Sequence, residues 1–249
     1  MAKQKGVIKL HGTIDDITFV RTRDGFIAKQ KTSLSAARLA TDPAFVRTRE
    51  NGAEFARAGK AGKLLRAAFR PQMLNTRDRS TPSRLTREMV RVVKSDPINM
   101  RGQRTVADGE ITLLEGFEFN SGAQMGESLN AQYTSSIDRA TGAATISVPS
   151  FIPINEVLAP IGATHYRILA AAAAVDFNAS VFERNMAASD ILPIDATPTQ
   201  LLNLACALTP NSASPIFLVV GIEFYQQVND APYALKSGIF NALTIARIS

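Results

Sequence analysis

The sequence predicts an α+β protein. It reads as a β-meander and basic helices over residues 1–110, followed by an antiparallel β-sandwich, Ig-like or jelly-roll-like, over residues 111–249. Charge points to this division first. Residues 1–110 hold 23 of the 28 Lys and Arg but 11 of the 22 Asp and Glu, whereas residues 111–249 hold the other 5 bases and 11 acids. Periodicity is the second observation: apolar residues recur at helical spacing in the basic part and at strand spacing afterwards. Turn clusters at Thr141-Gly142, Asn229-Asp230 and Ser237-Gly238 are the third, since they punctuate the second part as an all-β pattern requires.

The chain opens with alternation. From Val7 to Ile14, Ile8, Leu10 and Ile14 share one face and Lys9, His11 and Thr13 the other. Asp15-Asp16 supplies a turn and Ile17 to Arg23 returns. Asp24-Gly25 is a hairpin signal, because the tight turn between strands needs positive φ, and Phe26 to Lys31 closes the meander. Thr32-Ser33-Leu34-Ser35 leads away.

A long helix is expected next. Asp42 is a good N-cap, and Pro43 fits the first helical position, where a missing N–H costs nothing. Up to Arg70 the helical wheel gathers Phe55, Ala58, Ala61, Gly62, Leu65 and Phe69 on one face. Arg49, Arg57, Lys60, Lys63, Arg66 and Arg70 occupy the other. Gly52, Gly59 and Gly62 each cost about 1 kcal/mol of helix propensity relative to Ala, which points to a close-packed partner or a break. After a connector over Pro71 to Ser80, Thr81-Pro82 opens a second helix. Its apolar stripe is Leu85, Met89, Val92 and Val93; its basic row is Arg84, Arg87, Arg91 and Lys94. Residues 98–110 read as a linker.

In the second part, strands are expected at 111–119, 130–138, 143–149, 163–172, 215–228, 232–236 and 240–247, with a short helix from Thr197-Pro198 to Leu208. Ala170 to Ala174 has helical propensity, but its setting between strand-like segments favours a buried strand.

The search for chemistry is mostly negative. Two histidines (His11, His165) and one cysteine, far apart, make a structural zinc site an unsuitable reading. A lone Cys206 forms no intrachain disulfide, and among Leu201, Leu202, Leu204 and Leu208 it reads as a small core residue. There is no G-x-S-x-G elbow. Gly59-Lys60-Ala61-Gly62-Lys63-Leu64 is like the end of a phosphate loop, but Leu64 stands where Ser or Thr would hold magnesium and Arg57 where the first Gly belongs. The carboxylates Glu115, Glu118, Asp176, Glu183, Asp190 and Asp195 are read as strand-edge and turn residues. No catalytic, cofactor or metal residue is assigned, and no enzyme activity is expected. The apolar stretches Ile168 to Val175 and Ile216 to Ile222 are too short to span a bilayer, and no signal-peptide h-region follows the N-terminus, so cytoplasmic synthesis is expected.

The basic helices remain. Rows of Arg suit phosphate, yet without interleaved aromatics any nucleic-acid contact is electrostatic and insensitive to sequence. A row of charge is also what a solvated helix face looks like, or a face that meets the acidic β part of a second copy. Arg49, Arg57, Lys60, Lys63, Arg66, Arg70, Arg84, Arg87, Arg91 and Lys94 are therefore candidate polyanion or intersubunit contacts.

The motif Gly6-Val7-Ile8-Lys9-Leu10-His11-Gly12-Thr13-Ile14, with Thr18-Phe19, Asp24-Gly25, Asp42-Pro43-Ala44-Phe45 and Arg49-Glu50-Asn51, resembles a family of uncharacterised bacterial proteins, mostly from Bacteroidota. Gly221-Ile222-Glu223-Phe224-Tyr225 resembles that family's C-terminal part. The resemblance implies a Gly-rich hairpin, a basic helical middle and a strand-rich end, and carries over no activity and no site residue. The expectation is a non-enzymatic, self-assembling structural protein, of a phage-derived or particle-forming kind. The alternatives are sequence-nonspecific nucleic-acid binding and a ligand- or carbohydrate-binding sandwich.

Overall fold

The computed structural model describes residues 1–30, 34–76 and 78–249, leaving aside the side chains of Lys236 and Ser237. The expected meander end at Lys31 and the lead-away Thr32-Ser33 lie outside the described residues. The chain is α+β, and it divides into two units, Met1–Arg49 and Glu50–Ser249.

The first unit is a four-stranded antiparallel sheet in the order β1-β4-β3-β2, from β1 (Ala2–Lys3), β2 (Gly12–Ile14), β3 (Ile17–Thr22) and β4 (Gly25–Gln30). Thr22 pairs with Gly25, so the hairpin turn is Arg23-Asp24, one residue earlier than expected, and the positive φ, 114°, falls on Gly25, the first residue of β4. Asp15 takes φ 49° in the turn before β3. The expected strand over Val7–Ile14 is shorter: only Gly12–Ile14 is paired, while the Lys9 ammonium donates to the carbonyls of Gln4 and Gly6 and folds the preceding loop. A short helix α1 (Ala36–Thr41) follows, capped by Ser35 Oγ accepting from Arg38 N. Asp42 caps as anticipated, but over a single 3₁₀ turn at Pro43–Phe45, with Oδ1 accepting from Ala44 N at 2.9 Å.

Helix α2 (Val46–Ala68) is unbroken by its three glycines. Its buried stripe runs Glu54, Ala58, Ala61, Leu65 and Ala68 in four- and three-residue steps, with Gly62 buried beside Ala61. Phe55, placed on the core face by the helical wheel, is 61% exposed, and Glu54 is buried in its stead. Glu54 is tolerated there because its Oε1 accepts from Gly102 N at 2.8 Å. After α2 come α3 (Arg70–Leu74) and α4 (Thr81–Lys94). All four expected stripe residues of α4, Leu85, Met89, Val92 and Val93, are fully buried. Gly62 faces α4, where a Cβ would make ordinary contact with the Leu85 and Met89 side chains.

Beyond α4, residues 111–119 form no strand; they contain a 3₁₀ turn at Ile111–Leu114 and one bridge, Glu118 to Thr244. Two sheets and two short helices then follow. The elements are α5 (Met125–Ser128), β5 (Thr134–Asp138), β6 (Ala143–Val148), α6 (Pro153–Glu156), β7 (His165–Asp176), β8 (Val181–Ala188), β9 (Leu192–Pro193), β10 (Leu202–Ala207), β11 (Ile216–Val228), β12 (Ala231–Ala234) and β13 (Ala242–Ile248). The smaller sheet has the order β10-β6-β5. In the larger sheet β7 and β11 are central; β8 and β9 pair with β7, and β12 and β13 with β11. Ala170–Ala174 is a strand, since both its edges are taken by β11 and β8. The expected helix at 197–208 is instead β10, whose pairing with β6 outweighs the helical propensity of its Leu and Ala residues.

The alternation of β7 and β11 builds the core of the second unit in layers. Ile168, Ala170, Ala172, Ile216, Leu218 and Val220 pack against Ile146, Leu204 and Cys206 of the smaller sheet. Leu169, Ala171, Ala173, Phe217 and Val219 pack against Leu65, Phe69, Leu85 and Met89 of the helices. Residues from both sides of 110 thus share one core. The charge changes sign there, but the two units part between Arg49 and Glu50.

Candidate functional site

The ten candidate cations meet three different fates. Arg49, Arg57 and Arg84 hold main chain together. Arg49 Nη1 donates to the carbonyls of Leu39 and Asp42, satisfying acceptors around the end of α1. Arg57 Nη1 donates to Gly102 O at 2.8 Å and Arg104 O at 3.0 Å, pinning the loop after α4. Arg84 donates to Glu118 O, Ser80 Oγ and Asp78 Oδ2, and lies 5.2 Å above the Phe117 ring. Asp78 also accepts from the main chain and hydroxyls of Ser80 and Ser121. Its burial would raise its pKa, but the bonds from Ser121 and Ser80 overcome that and hold the carboxyl far below the usual range.

Arg87 and Arg91 share the second fate. Their guanidiniums flank Glu88 at 3.0 and 2.6 Å. Burial works against the Glu88 charge, and the hydrogen bonds from Arg91 and Arg87 lower its pKa all the same. Lys60, Lys63, Arg70 and Lys94 are exposed, with no ion pair among the described residues. Lys63, Arg66 and Arg70 line one groove of about 310 Å³ with Ala67, Met73 and Leu74. Arg66 is half-buried, and its Nε is buried without a hydrogen-bond partner.

Sequence reasoning missed a second cluster. Glu223, inside the apolar run of β11, is 3% exposed. It accepts from Asn75 Nδ2 at 2.8 Å, from Arg167 Nε and Nη2 at 3.1 and 2.5 Å, and from Tyr225 Oη at 2.7 Å. Burial and the bond to Glu223 push the Tyr225 phenol up to about 12. A cleft of about 460 Å³ opens beside it, lined by Asn75, Glu223, Tyr225 and Asn241. The available signal was Glu223 itself, a charge in a strand apolar on both faces, which requires a partner. Both oxygens of this carboxylate accept from donors of the protein, one at Oε1 and three at Oε2, so its geometry is that of a structural clamp.

Glu118 is a half-buried carboxyl. Its Oε1 accepts from Met125 N, while Oε2 is buried with no partner. Desolvation therefore pushes its pKa up to about 7, against the bonds from Met125 and Thr244 and the charge of Arg84. Four further carboxylates serve turns and edges: Glu115 accepts from Ile248 N, Asp176 from Asn178 and Ala179 N, Glu183 from Thr209 N and Asp195 from Thr197 N. Cys206 is buried on β10, not on a helix, and burial pushes its thiol up. His165 Nδ1 shares a 2.9 Å contact with Thr164 Oγ1. Among the described residues no three His, Cys, Asp or Glu side chains are grouped to hold a metal, and no helix is long and apolar enough to cross a membrane.

No family model and no curated protein matches the chain. A solved structure concerned with pH-induced modulation of Streptococcus parasanguinis adhesion by Fap1 fimbriae is similar over 45% of this chain and 77% of its own, at 11% identity and a TM-score of 0.23. A likeness at that level carries no argument about fold or function.

Proposed function

We propose that this chain is a non-enzymatic structural protein that assembles with copies of itself through the N-terminal meander, its C-terminal sheets serving as a β-sandwich scaffold. One observation carries the reading. Among the described residues of Met1–Arg49 none is buried, although the unit holds Val7, Ile8, Leu10, Ile14, Ile17 and Val46. A small sheet whose apolar residues all meet water lacks the driving force that orders sheets. A neighbouring copy would supply it, since each aliphatic side chain fully buried contributes about 1.5–3 kcal/mol. The charge division supports the same partner: a +12 region and a −6 region on one chain attract head to tail between copies. Head-to-tail contacts close into rings or extend into filaments and particles.

The test is size-exclusion chromatography with light scattering on the full chain and on Ile8→Asp/Ile14→Asp. A defined oligomer that the double variant dissociates, with the thermal transition of the second unit unchanged, is the expected result. A monomeric native protein at all concentrations overturns the proposal.

A further inference from the structure

The outer face of α2 and its junction with α3 carries a cationic groove that self-association through the meander does not use. Residues 55–77 hold six bases and no acid, an uninterrupted stretch between Glu54 and Asp78. At a rise of about 1.5 Å per residue, Lys60, Lys63, Arg66 and Arg70 form a row about 15 Å long. The molecule contains its own comparison. In the equally basic row of α4 three of the four bases are paired, Arg84 with Asp78 and Arg87 and Arg91 with the single Glu88, and Lys94 alone has no ion pair among the described residues. The α2 row has no carboxylate within reach among the described residues.

Three further features separate this row from a solvated helix face. Lys63, Arg66 and Arg70 converge on a concave groove. Arg66 is half-buried at the groove and its Nε makes no hydrogen bond within the chain, so its guanidinium is not committed there. Met73 and Leu74 lie beside it, with Leu74 68% exposed, so the groove offers apolar surface next to its charges. We infer that this groove binds the phosphate backbone of duplex nucleic acid, without sequence preference. Spaced cations in a groove fit a linear array of phosphates, and the guanidinium forks of Arg66 and Arg70 match phosphate oxygens. The lining contains no aromatic ring, so exposed bases would find no stacking platform; a duplex, whose bases are already stacked, needs none.

Fluorescence anisotropy with a labelled DNA duplex of about 20 base pairs tests this. Four phosphate contacts give a log–log salt slope of about 3.6, or roughly 150-fold weaker binding as salt rises from about 50 to 200 mM. The exposed triple variant Lys60→Gln/Lys63→Gln/Arg70→Gln should lower the slope to about 1 and leave the melting temperature unchanged. Arg87→Gln/Arg91→Gln, the same chemistry on the two arginines that pair with Glu88, should keep the native slope. The inference is overturned by a native slope below about 1, by a triple variant that binds as the native protein does, or by equal losses in both variants. Tighter binding of a single strand of the same length also overturns it. So does displacement of the duplex by polyglutamate at equal charge, which would assign the groove to an acidic protein.

Discussion

Arg167 and Glu223 are direct cross-strand partners on β7 and β11, and the guanidinium grips one carboxylate oxygen through both Nε and Nη2. Asn75 of the connector after α3 binds the other oxygen, so one buried charge ties a helical connector to the middle of the sheet. Asn241 Nδ2 donates to Asn75 O, and its Oδ1 accepts from Phe224 N, which extends the tie to β13.

Arg167→Met should therefore destabilise the second unit by about 3 kcal/mol, because it leaves Glu223 charged, buried and short of its strongest donor. Glu223→Gln/Arg167→Met, which removes both charges, should recover much of that loss. Urea denaturation of the three proteins measures it; equal losses in the single and double variants would show that the pair acts independently of charge.

Glu118 gives the fold a pH dependence with a definite sign. Its folded pKa of about 7 lies above its ordinary value, so the folded state holds the proton more tightly than the unfolded chain. Stability contributed by the neutral carboxyl is fully present below the ordinary carboxylate range and is lost as pH rises through about 7. Arg84, Glu127 and Tyr133 face this group and set the details, Arg84 lowering the pKa and Glu127 raising it. Glu118→Gln should melt higher than the native chain at pH 8 and show a flatter melting profile between pH 5 and 8. Parallel profiles for the two proteins would contradict the assignment.

The glycines of α2 are not equivalent to the turn glycines. A Cβ at Gly59 meets nothing within 4 Å, so Gly59→Ala should stabilise by about 1 kcal/mol through helix propensity alone. Gly142 has φ 75°, and a Cβ there would lie 2.1 Å from Leu208 O, so Gly142→Ala should cost more than about 1 kcal/mol. Thermal melts of both variants settle the signs.

Cys206 is 1% exposed, with its thiol donating to Ala170 O and its pKa raised by burial. It should stay unreacted toward a thiol-specific disulfide reagent in the native protein and react at once in denaturant. Rapid native labelling would mean that β10 opens from the sheet.

Local signals made much of the secondary structure legible. The α4 stripe, the Asp24-Gly25 hairpin, the Asp42-Pro43 start and the strands β5, β6, β7, β11, β12 and β13 follow from period, capping and turn chemistry, which act over a few residues. Where the reading departs from the structure, contacts distant in sequence decided. β10 is a strand because β6 offers it a ladder, against the local preference of Leu202 to Ala207. Glu54 replaces Phe55 in the α2 stripe because the main chain of Gly102, 48 residues away, supplies its donor. The basic residues show the same limit most plainly. Sequence by itself determines how many there are and on which helix face they lie. Only the fold decides which are spent, because a charge is neutralised by whatever carboxylate or carbonyl lies within about 4 Å, and that distance is set by packing. Arg57 and Arg84 thus hold main chain distant in sequence, Arg87 and Arg91 pair with Glu88 on their own helix, and Lys60, Lys63 and Arg70 have no ion pair among the described residues.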